Sequence, residues 1–228
     1  MIQLKFESIL EQSFRQRQHA IDRYCEQHRA KYLDMGANIA PDLANWRAVW
    51  NRLAFAILSA NAPFQRAVDA LGYANKRRGS CDARHLARMG HTPAKADYLN
   101  QLTCGPALLT LCRQSDETSH THRLRLRHDV QGLGLCKASF ASALLEPLTA
   151  DVACIDTHMQ KVYLGNRGFK TLSLDTYLTT ESKVRAVGVN HGISTFLAQW
   201  LIWDHVRGVV EPHAIFPGAH KLLERKGR

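Results

Sequence analysis

VQGLGLCKASFASALLEPLTADVACIDTHMQKVYLG, from Val130 to Gly165, carries the most informative pattern in the chain. It begins with a tight turn at Gly132 and Gly134, and small and apolar residues typical of a helix follow. The first N–H groups of a helix lack intrahelical partners and lie at the positive end of its dipole, so this arrangement suits a phosphate. A G-x-G turn also serves as an ordinary helix connection. From the turn alone, both interpretations stay open.

The same stretch contains an aspartate that could carry chemistry. Asp156 precedes an apolar periodic run that ends near Val162. Aspartate at this position commonly caps a helix N-terminus. A carboxylate beside a reacting nucleotide can also stabilise positive charge or accept a proton. The two roles can coexist in one residue.

Outward from this stretch, the composition indicates a helical globular protein. The chain has 228 residues, of which 45% are apolar and 22% charged, which excludes disorder, collagen and coiled coil. Sustained strand-like alternation is absent, so the sequence predicts an all-α fold. The length alone is compatible with one domain or with two small lobes.

Helix boundaries are predicted from capping and breaking residues. One or two amphipathic helices between Phe6 and Leu33 are expected to be interrupted by Gly36 and Pro41. Asp42 is predicted to cap a strongly apolar core helix that ends before Pro63. Further helices are expected at 94–102, at 106–112 and in a segment that ends at residue 129.

The net charge of the chain indicates what kind of partner it binds. Thirty Lys and Arg against twenty Asp and Glu give a formal charge of +10, which favours nucleic acid, although a solvated basic surface would look the same. Basic residues in 76–88 and 123–127 are expected to contact phosphates. Apolar runs are far shorter than the roughly 18 residues of a membrane span. The N-terminus lacks a secretory pattern, so we expect a cytoplasmic, DNA-associated protein without membrane contact.

Cysteine and histidine patterns indicate no metal or cofactor. The six cysteines include no C-x-x-C pair and are interpreted as mostly buried thiols. Histidines near the C-terminus, at 205, 213 and 220, have no recognisable metal-ligand spacing.

Three motifs together resemble the helix-hairpin-helix (HhH-GPD) DNA glycosylase superfamily across roughly residues 45 to 205. Gly132-Leu133-Gly134 with Ala138 resembles the family's L-P-G-V-G-x-K-x-A hairpin, which places a helix-hairpin-helix at about 122–146. Ile155-Asp156-Thr157-His158 resembles its V-D-T-H motif. Residues 57–62, ILSANA, resemble its I-L-S-x-Q-x segment. The resemblance implies a single domain of two helical lobes, with N-terminal helices in 1–40, a glycosylase-like core in 41–205 and a C-terminal tail in 206–228. It also implies that the protein binds double-stranded DNA and flips a base.

The resemblance also assigns roles to residues. Asp156 would be catalytic, and Asn61 would fill the gap that a flipped base leaves. Gly132, Gly134, Cys136 and His158 would lie against DNA.

This chain departs from the family pattern in three places. The slot of the family's Schiff-base lysine holds Cys136, and Lys137 comes one residue later, which turns the side chain by about 100° around a helix. The hairpin proline is replaced by Gln131. No cysteine follows Cys154, so the family's C-terminal iron–sulfur loop is not expected. Lyase chemistry through a lysine is therefore not predicted.

Three functions fit these motifs. The variant hairpin with C-I-D-T-H-M looks like phage amino acid:DNA transferases of thymidine hypermodification, which implies attack by an amino acid such as glycine on 5-phosphomethyl-deoxyuridine. Asp156 would then deprotonate the amine, and Lys137 would stabilise the departing phosphate. This is the leading hypothesis, with a free amino acid as co-substrate and a monomeric enzyme. The alternatives are a monofunctional DNA glycosylase and a catalytically silent DNA-binding module.

Overall fold

The computed structural model describes residues 2–77, 80–102, 104–165 and 171–209, with side chains from residue 15 onward. This part of the chain contains ten α-helices, one 3₁₀ helix and no strand, which confirms the predicted all-α class. The α-helices are α1 (Ile2–Ile39), α2 (Trp46–Leu58), α3 (Phe64–Lys76), α4 (Ala83–Arg88), α5 (Pro93–Gln101), α6 (Ser119–Asp129), α7 (Leu135–Leu145), α8 (Thr157–Leu164), α9 (Leu174–His191) and α10 (Thr195–Val206). The 3₁₀ helix spans Pro106–Leu111.

The N-terminal region is one continuous helix, and the prediction that Gly36 interrupts it is wrong. Gly36 lies inside α1 because its missing side chain allows close packing. A Cβ atom there would lie 3.0 Å from Leu148 and 3.1 Å from Leu197. The helix ends at Ile39, two residues before Pro41, as expected from the constraint that proline puts on the residue before it.

The apolar helix α2 begins later than predicted. Its N-cap is Asn45, whose side chain accepts a hydrogen bond from the Arg47 amide, and not Asp42. The carboxylate of Asp42 instead accepts from the Ala44 amide at 3.0 Å and closes a turn before the helix. Every residue from Ala48 to Leu58 is buried, so α2 is a core helix on all its faces.

The predicted break after α2 is confirmed. The helix ends at Leu58, and Pro63 is the N-cap residue of α3. Between them Asn61 adopts a left-handed backbone with φ 49°, a conformation that asparagine tolerates better than most residues. The helices expected at 94–102, at 106–112 and up to residue 129 are present as α5, the 3₁₀ helix and α6.

The helices pack in two groups around one hydrophobic cluster. The core helix α2 packs against α3, α5, the 3₁₀ helix and α7, while α6 packs along α7. In the second group α10 packs against α1, α8 and α9. The proposed boundaries at residues 40 and 205 stay a prediction, and most of the expected C-terminal tail lies outside the described residues. None of the described helices has the length and apolarity needed to cross a membrane.

Candidate active site

The hairpin between α6 and α7 contains the two glycines singled out from the sequence, and each has a different structural role. Gly132 has φ 86°, and a Cβ atom there would lie 2.4 Å from the Tyr98 ring, so only glycine fits. Gly134 has an ordinary φ of −69°, and no atom lies within 4 Å of the position its Cβ would take. The first glycine therefore closes the turn, while the second leaves the surface open.

The N-terminus of α7 is accessible because of Gly134. This residue is the N-cap of α7, and without a side chain it provides no capping hydrogen bond. The first-turn amides of the 11-residue helix are thus not covered by a cap, and the helix dipole adds positive potential there. An anion such as a DNA phosphate fits this place.

Asp156 is the N-cap of α8, as its position predicted. Its Oδ1 accepts hydrogen bonds from the amides of His158 at 2.9 Å and Met159 at 3.0 Å. The side chain is only half-buried. Because one oxygen does the capping, Oδ2 stays available for a second interaction, and the capping and catalytic roles are compatible.

The backbone that leads to Asp156 is held by buried side chains from α9 and α10. The Ala153 amide donates to Glu181 Oε1 at 2.9 Å, and the Cys154 amide donates to Gln199 Oε1 at 2.6 Å. Tyr177 donates its hydroxyl to the Ala153 carbonyl at 2.6 Å. These bonds satisfy the polar backbone of an irregular buried segment and fix the direction in which Asp156 leaves it.

The basic segment 123–127 does not present all its arginines to a phosphate, which corrects the prediction. Arg123 is fully buried and donates to Glu181 Oε1 at 2.6 Å. Arg125 donates to Glu117 Oε1 at 2.6 Å, and this hydrogen bond lowers the pKa of Glu117 to about 2. Arg127 remains exposed. In 76–88 the described basic residues Lys76, Arg77, Arg84 and Arg88 are exposed.

Lys137 connects the hairpin with the end of α2. Its Nζ donates to Ser59 Oγ at 3.1 Å and lies 5.1 Å from the centre of the Phe140 ring. Ser59 belongs to the ILSANA segment, so two of the three motifs meet at this ammonium group. A side chain one residue past the expected slot therefore still reaches the turn that carries Asn61.

Cys136 marks the point where the hairpin meets the segment before Asp156, because its Sγ lies 3.0 Å from Cys154 Sγ. A hydrogen bond from Cys154 lowers the pKa of the Cys136 thiol, burial opposes this, the charge of Lys137 lowers it further and that of Asp156 raises it. Both charges act on one sulfur atom, so Lys137, Cys136 and Asp156 share one electrostatic environment.

Lys95 belongs to this site and was missed from the sequence. Its buried ammonium group donates to the carbonyls of Leu58, at 2.9 Å, and Ala60, and it contacts His91 Nδ1 at 3.1 Å. Burial, reinforced by Lys137, lowers the pKa of Lys95 to about 8. The one available signal was its position four residues before the buried Leu99, which places both on one face of α5.

Asn61 and His158, both predicted to lie against DNA, are partly or fully accessible. Asn61 is exposed at the left-handed turn. His158 is half-buried and contacts Trp203 edge-to-face, with ring centres 5.6 Å apart. Arg207 lies 4.1 Å from the centre of the Trp203 ring. His158, Trp203 and Arg207 thus form an aromatic and cationic surface next to Asp156.

The neighbours of Trp203 have other contacts. Asp204 accepts a hydrogen bond from the Tyr32 hydroxyl, and His205 lies against the Tyr24 ring with centres 5.2 Å apart. Both join α10 to α1. Within the described ranges no three His, Cys, Asp or Glu side chains are grouped so as to hold a metal ion.

With this geometry in place, the fold can be assigned. The chain has the helical fold of the HhH-GPD DNA glycosylases. Two similar solved structures are 8-oxoguanine DNA glycosylases, one from Methanocaldococcus jannaschii and one from Thermotoga maritima. The former matches with a TM-score of 0.65, 20% identity and coverage of 82% of this chain and 94% of the neighbour. The latter matches with a TM-score of 0.68, 20% identity and coverage of 89% of this chain and 99% of the neighbour.

A third similar structure contains DNA. It is the M. jannaschii 8-oxoguanine glycosylase/lyase in complex with a 15mer DNA containing 8-oxoguanine, with a TM-score of 0.69 and 20% identity. The match covers 84% of this chain and 99% of the neighbour. No protein-family model and no curated protein sequence matches the chain. At this identity the likeness establishes the fold, and the activity has to be argued from the site.

Proposed function

We propose that this protein is a DNA glycosylase that removes a base flipped out of double-stranded DNA. The observation that carries the proposal is the contact between the open hairpin and the segment that leads to Asp156, where Cys136 Sγ lies 3.0 Å from Cys154 Sγ. The adjacent Lys137 reaches Ser59 of the turn that carries Asn61. The three similar structures described above are glycosylases, which favours this function over the transferase predicted from the sequence. The transferase and its amino acid co-substrate remain unconfirmed.

DNA binding is proposed to centre on the N-terminus of α7. The space above Gly134 admits a phosphate to the first-turn amides. The exposed Arg127 on α6 and the exposed basic residues of 76–88 add positive charge. A contact of this kind positions the duplex without reading its sequence.

Base extrusion is assigned to the turn after α2. Rotating a base out of the stack costs a few kcal/mol, which side chains offset by filling the gap and holding the base. Asn61 is exposed on a strained turn and is the proposed gap-filling residue. The surface formed by His158, Trp203 and Arg207 is proposed to contact the flipped nucleotide, because aromatic rings stack on bases.

The charges at the site support hydrolysis of the N-glycosidic bond. Water attacks C1′ of the sugar, and the N-glycosidic bond breaks with its electron pair moving to the base nitrogen. Oδ2 of Asp156 stabilises the positive charge that develops on the sugar and accepts the proton from water. The ammonium group of Lys137 stabilises the negative charge on the departing base.

The test is mass spectrometry of bases and nucleosides after incubation with DNA containing 8-oxoguanine, uracil, a mismatch or 5-phosphomethyluracil, each with and without free amino acids. A glycosylase releases one of the bases and leaves an abasic site. Strand breakage without alkali would add a lyase step. A heavier nucleoside formed only with an amino acid would establish the transferase instead.

Asp156→Asn tests the catalytic role of the carboxylate. The amide oxygen of asparagine can still accept from His158 and Met159, so α8 keeps its cap and the variant should fold. Loss of the carboxylate charge is expected to slow base release by about 10³-fold at unchanged DNA affinity. A variant as active as the wild type, with DNA binding retained, would remove Asp156 from the mechanism.

The hairpin glycines test the DNA contact. Gly134→Ala is expected to leave thermal stability nearly unchanged, since the added methyl group meets no atom within 4 Å, but to weaken DNA binding roughly 10-fold by covering the α7 amides. Gly132→Ala should instead destabilise the fold through its clash with Tyr98. Equal DNA affinities of wild type and Gly134→Ala in a salt titration would place the phosphate contact elsewhere.

A further inference from the structure

The two thiols at the centre of the candidate site are in direct contact. Cys136 Sγ and Cys154 Sγ lie 3.0 Å apart, although the residues are 18 positions apart in the chain. Cys136 lies in the first turn of α7, and Cys154 lies two residues before Asp156. The pair therefore bridges the hairpin and the segment that carries the catalytic carboxylate.

The environment of the pair makes one sulfur reactive. Cys136 is half-buried, whereas Cys154 is buried. The hydrogen bond between them lowers the pKa of Cys136 and raises that of Cys154, and Lys137 favours a thiolate at Cys136. Thiolates, and not thiols, react with oxidants and disulfides. The accessible member of the pair is thus also the better nucleophile.

The other cysteines of the chain lack this arrangement. Cys25, Cys81 and Cys112 are buried, and burial raises the pKa of each. Cys104 is exposed, and partial desolvation raises the pKa of its thiol. Of the six cysteines, Cys136 alone has a lowered pKa.

We propose that Cys136 and Cys154 are a redox modification site, at which formation of an intramolecular disulfide switches the candidate active site off. The bond itself is independent of what the protein does. The loss of activity rests on the proposed glycosylase function.

The chemistry balances with a low-molecular-weight disulfide such as oxidised glutathione. The Cys136 thiolate attacks one sulfur of the reagent, a mixed disulfide forms, and one glutathione thiolate leaves. Cys154 then loses its proton and attacks the Cys136 sulfur, which releases the second glutathione. Two protein thiols are oxidised, one glutathione disulfide is reduced to two thiols, and the two protons pass to the glutathione thiolates.

The disulfide would change the geometry of the site. It fixes the first turn of α7 to the segment at 152–156, because a disulfide draws the sulfur atoms to about 2.05 Å from their present 3.0 Å contact. Misplacement of a catalytic group by about 1 Å can slow a reaction by roughly 100-fold.

Peptide mapping tests the bond. Trypsin separates the two cysteines into the peptides 128–137 and 138–161, each with one cysteine. After treatment of the full chain with oxidised glutathione, we expect these peptides to be linked and to separate on addition of dithiothreitol. Cys136→Ser and Cys154→Ser should lack the link, whereas Cys104→Ser, which removes the exposed thiol, should keep it. Linkage of Cys136 to any other cysteine, or no link at all, would overturn the proposal.

Single-turnover base release tests the switch, on whichever substrate the mass spectrometry assay identifies. The oxidised protein is expected to react at least about 10-fold more slowly, and dithiothreitol should restore the rate. The Cys104→Ser variant, which keeps both members of the pair, should lose its rate under the same oxidant as the wild type does. An unchanged rate in the disulfide form would overturn the switch. If neither form releases a base, the glycosylase function fails while the peptide map still decides the bond.

Discussion

The two chain segments that meet around Lys137 are held in place in different ways. The segment before Asp156 is bound through its backbone by Tyr177, Glu181 and Gln199, which come from α9 and α10. The turn that carries Asn61 is held by the ammonium groups of two lysines. Lys95 binds the carbonyls of Leu58 and Ala60, and Lys137 donates to Ser59. One segment is buried, and the other carries an exposed residue at its tip.

This difference matches what each segment has to do in the proposed reaction. A carboxylate that stabilises charge works best when the fold fixes it before substrate arrives. A side chain that fills the gap in a duplex has to adjust when DNA is bent around it. Local opening costs least where few buried contacts hold the chain, so the Asn61 turn is the part expected to move.

The largest loss of stability is expected from Glu181→Gln, which changes a side chain that holds the segment before Asp156. Glutamine can still accept from the Ala153 amide and from Arg123, but it removes the negative charge that neutralises the buried guanidinium group. Breaking a buried ion pair by removing one partner costs about 3–5 kcal/mol. We expect a loss of this size in the free energy of unfolding, measured by urea denaturation.

Glu117→Gln is the control for that change. It makes the same substitution in the pair with Arg125, whose side chains are 15% and 26% exposed against 2% and 0% for Glu181 and Arg123. At this more exposed pair solvent screens the charges, and we expect a smaller loss than at Glu181. Similar losses for both variants would mean that the Asp156 segment does not depend on a buried charge.

The sequence predicted the motif residues of this site better than the distant residues that hold them in place. Local signals were sufficient for the break before Pro63, the hairpin glycines and the cap at Asp156, because each depends on a few consecutive residues. Arg123 was expected on the DNA surface, since its partner Glu181 is 58 residues away and no local pattern reports it. The errors at Gly36 and Asp42 have a similar origin, because packing and turn closure outweighed helix propensity.

An intermediate loss of stability is expected from Lys95→Met, which removes an ammonium group that holds the Asn61 turn. Methionine fills similar volume but leaves the Leu58 and Ala60 carbonyls without their donor, at a cost of about 2 kcal/mol. Base release should also slow, through looser positioning of Asn61. Activity that stays unchanged at this lower stability would show that the turn needs no fixed geometry.

The pH dependence identifies Lys95 more directly. Its pKa is about 8 in the folded protein against an ordinary 10.5, with Lys137 and His91 as its charged or titratable neighbours. Between these pH values the unfolded chain binds more protons, so the free energy of unfolding should rise with pH there. Lys95→Met should lack this part of the rise. Parallel stability profiles from pH 7 to 10 would contradict the lowered pKa.

The smallest effect on stability is expected at Asn61, where two substitutions separate backbone from side chain. Glycine accepts the left-handed backbone at φ 49°, so Asn61→Gly should fold as stably as the wild type. Asn61→Ala pays the strain of that backbone, about 1 kcal/mol, in a thermal melt. Neither variant can fill the gap beside a flipped base, so both should slow base release by a similar factor, about 10-fold or more. If the alanine variant alone were slow, the shape of the turn, and not the asparagine side chain, would be what the reaction uses.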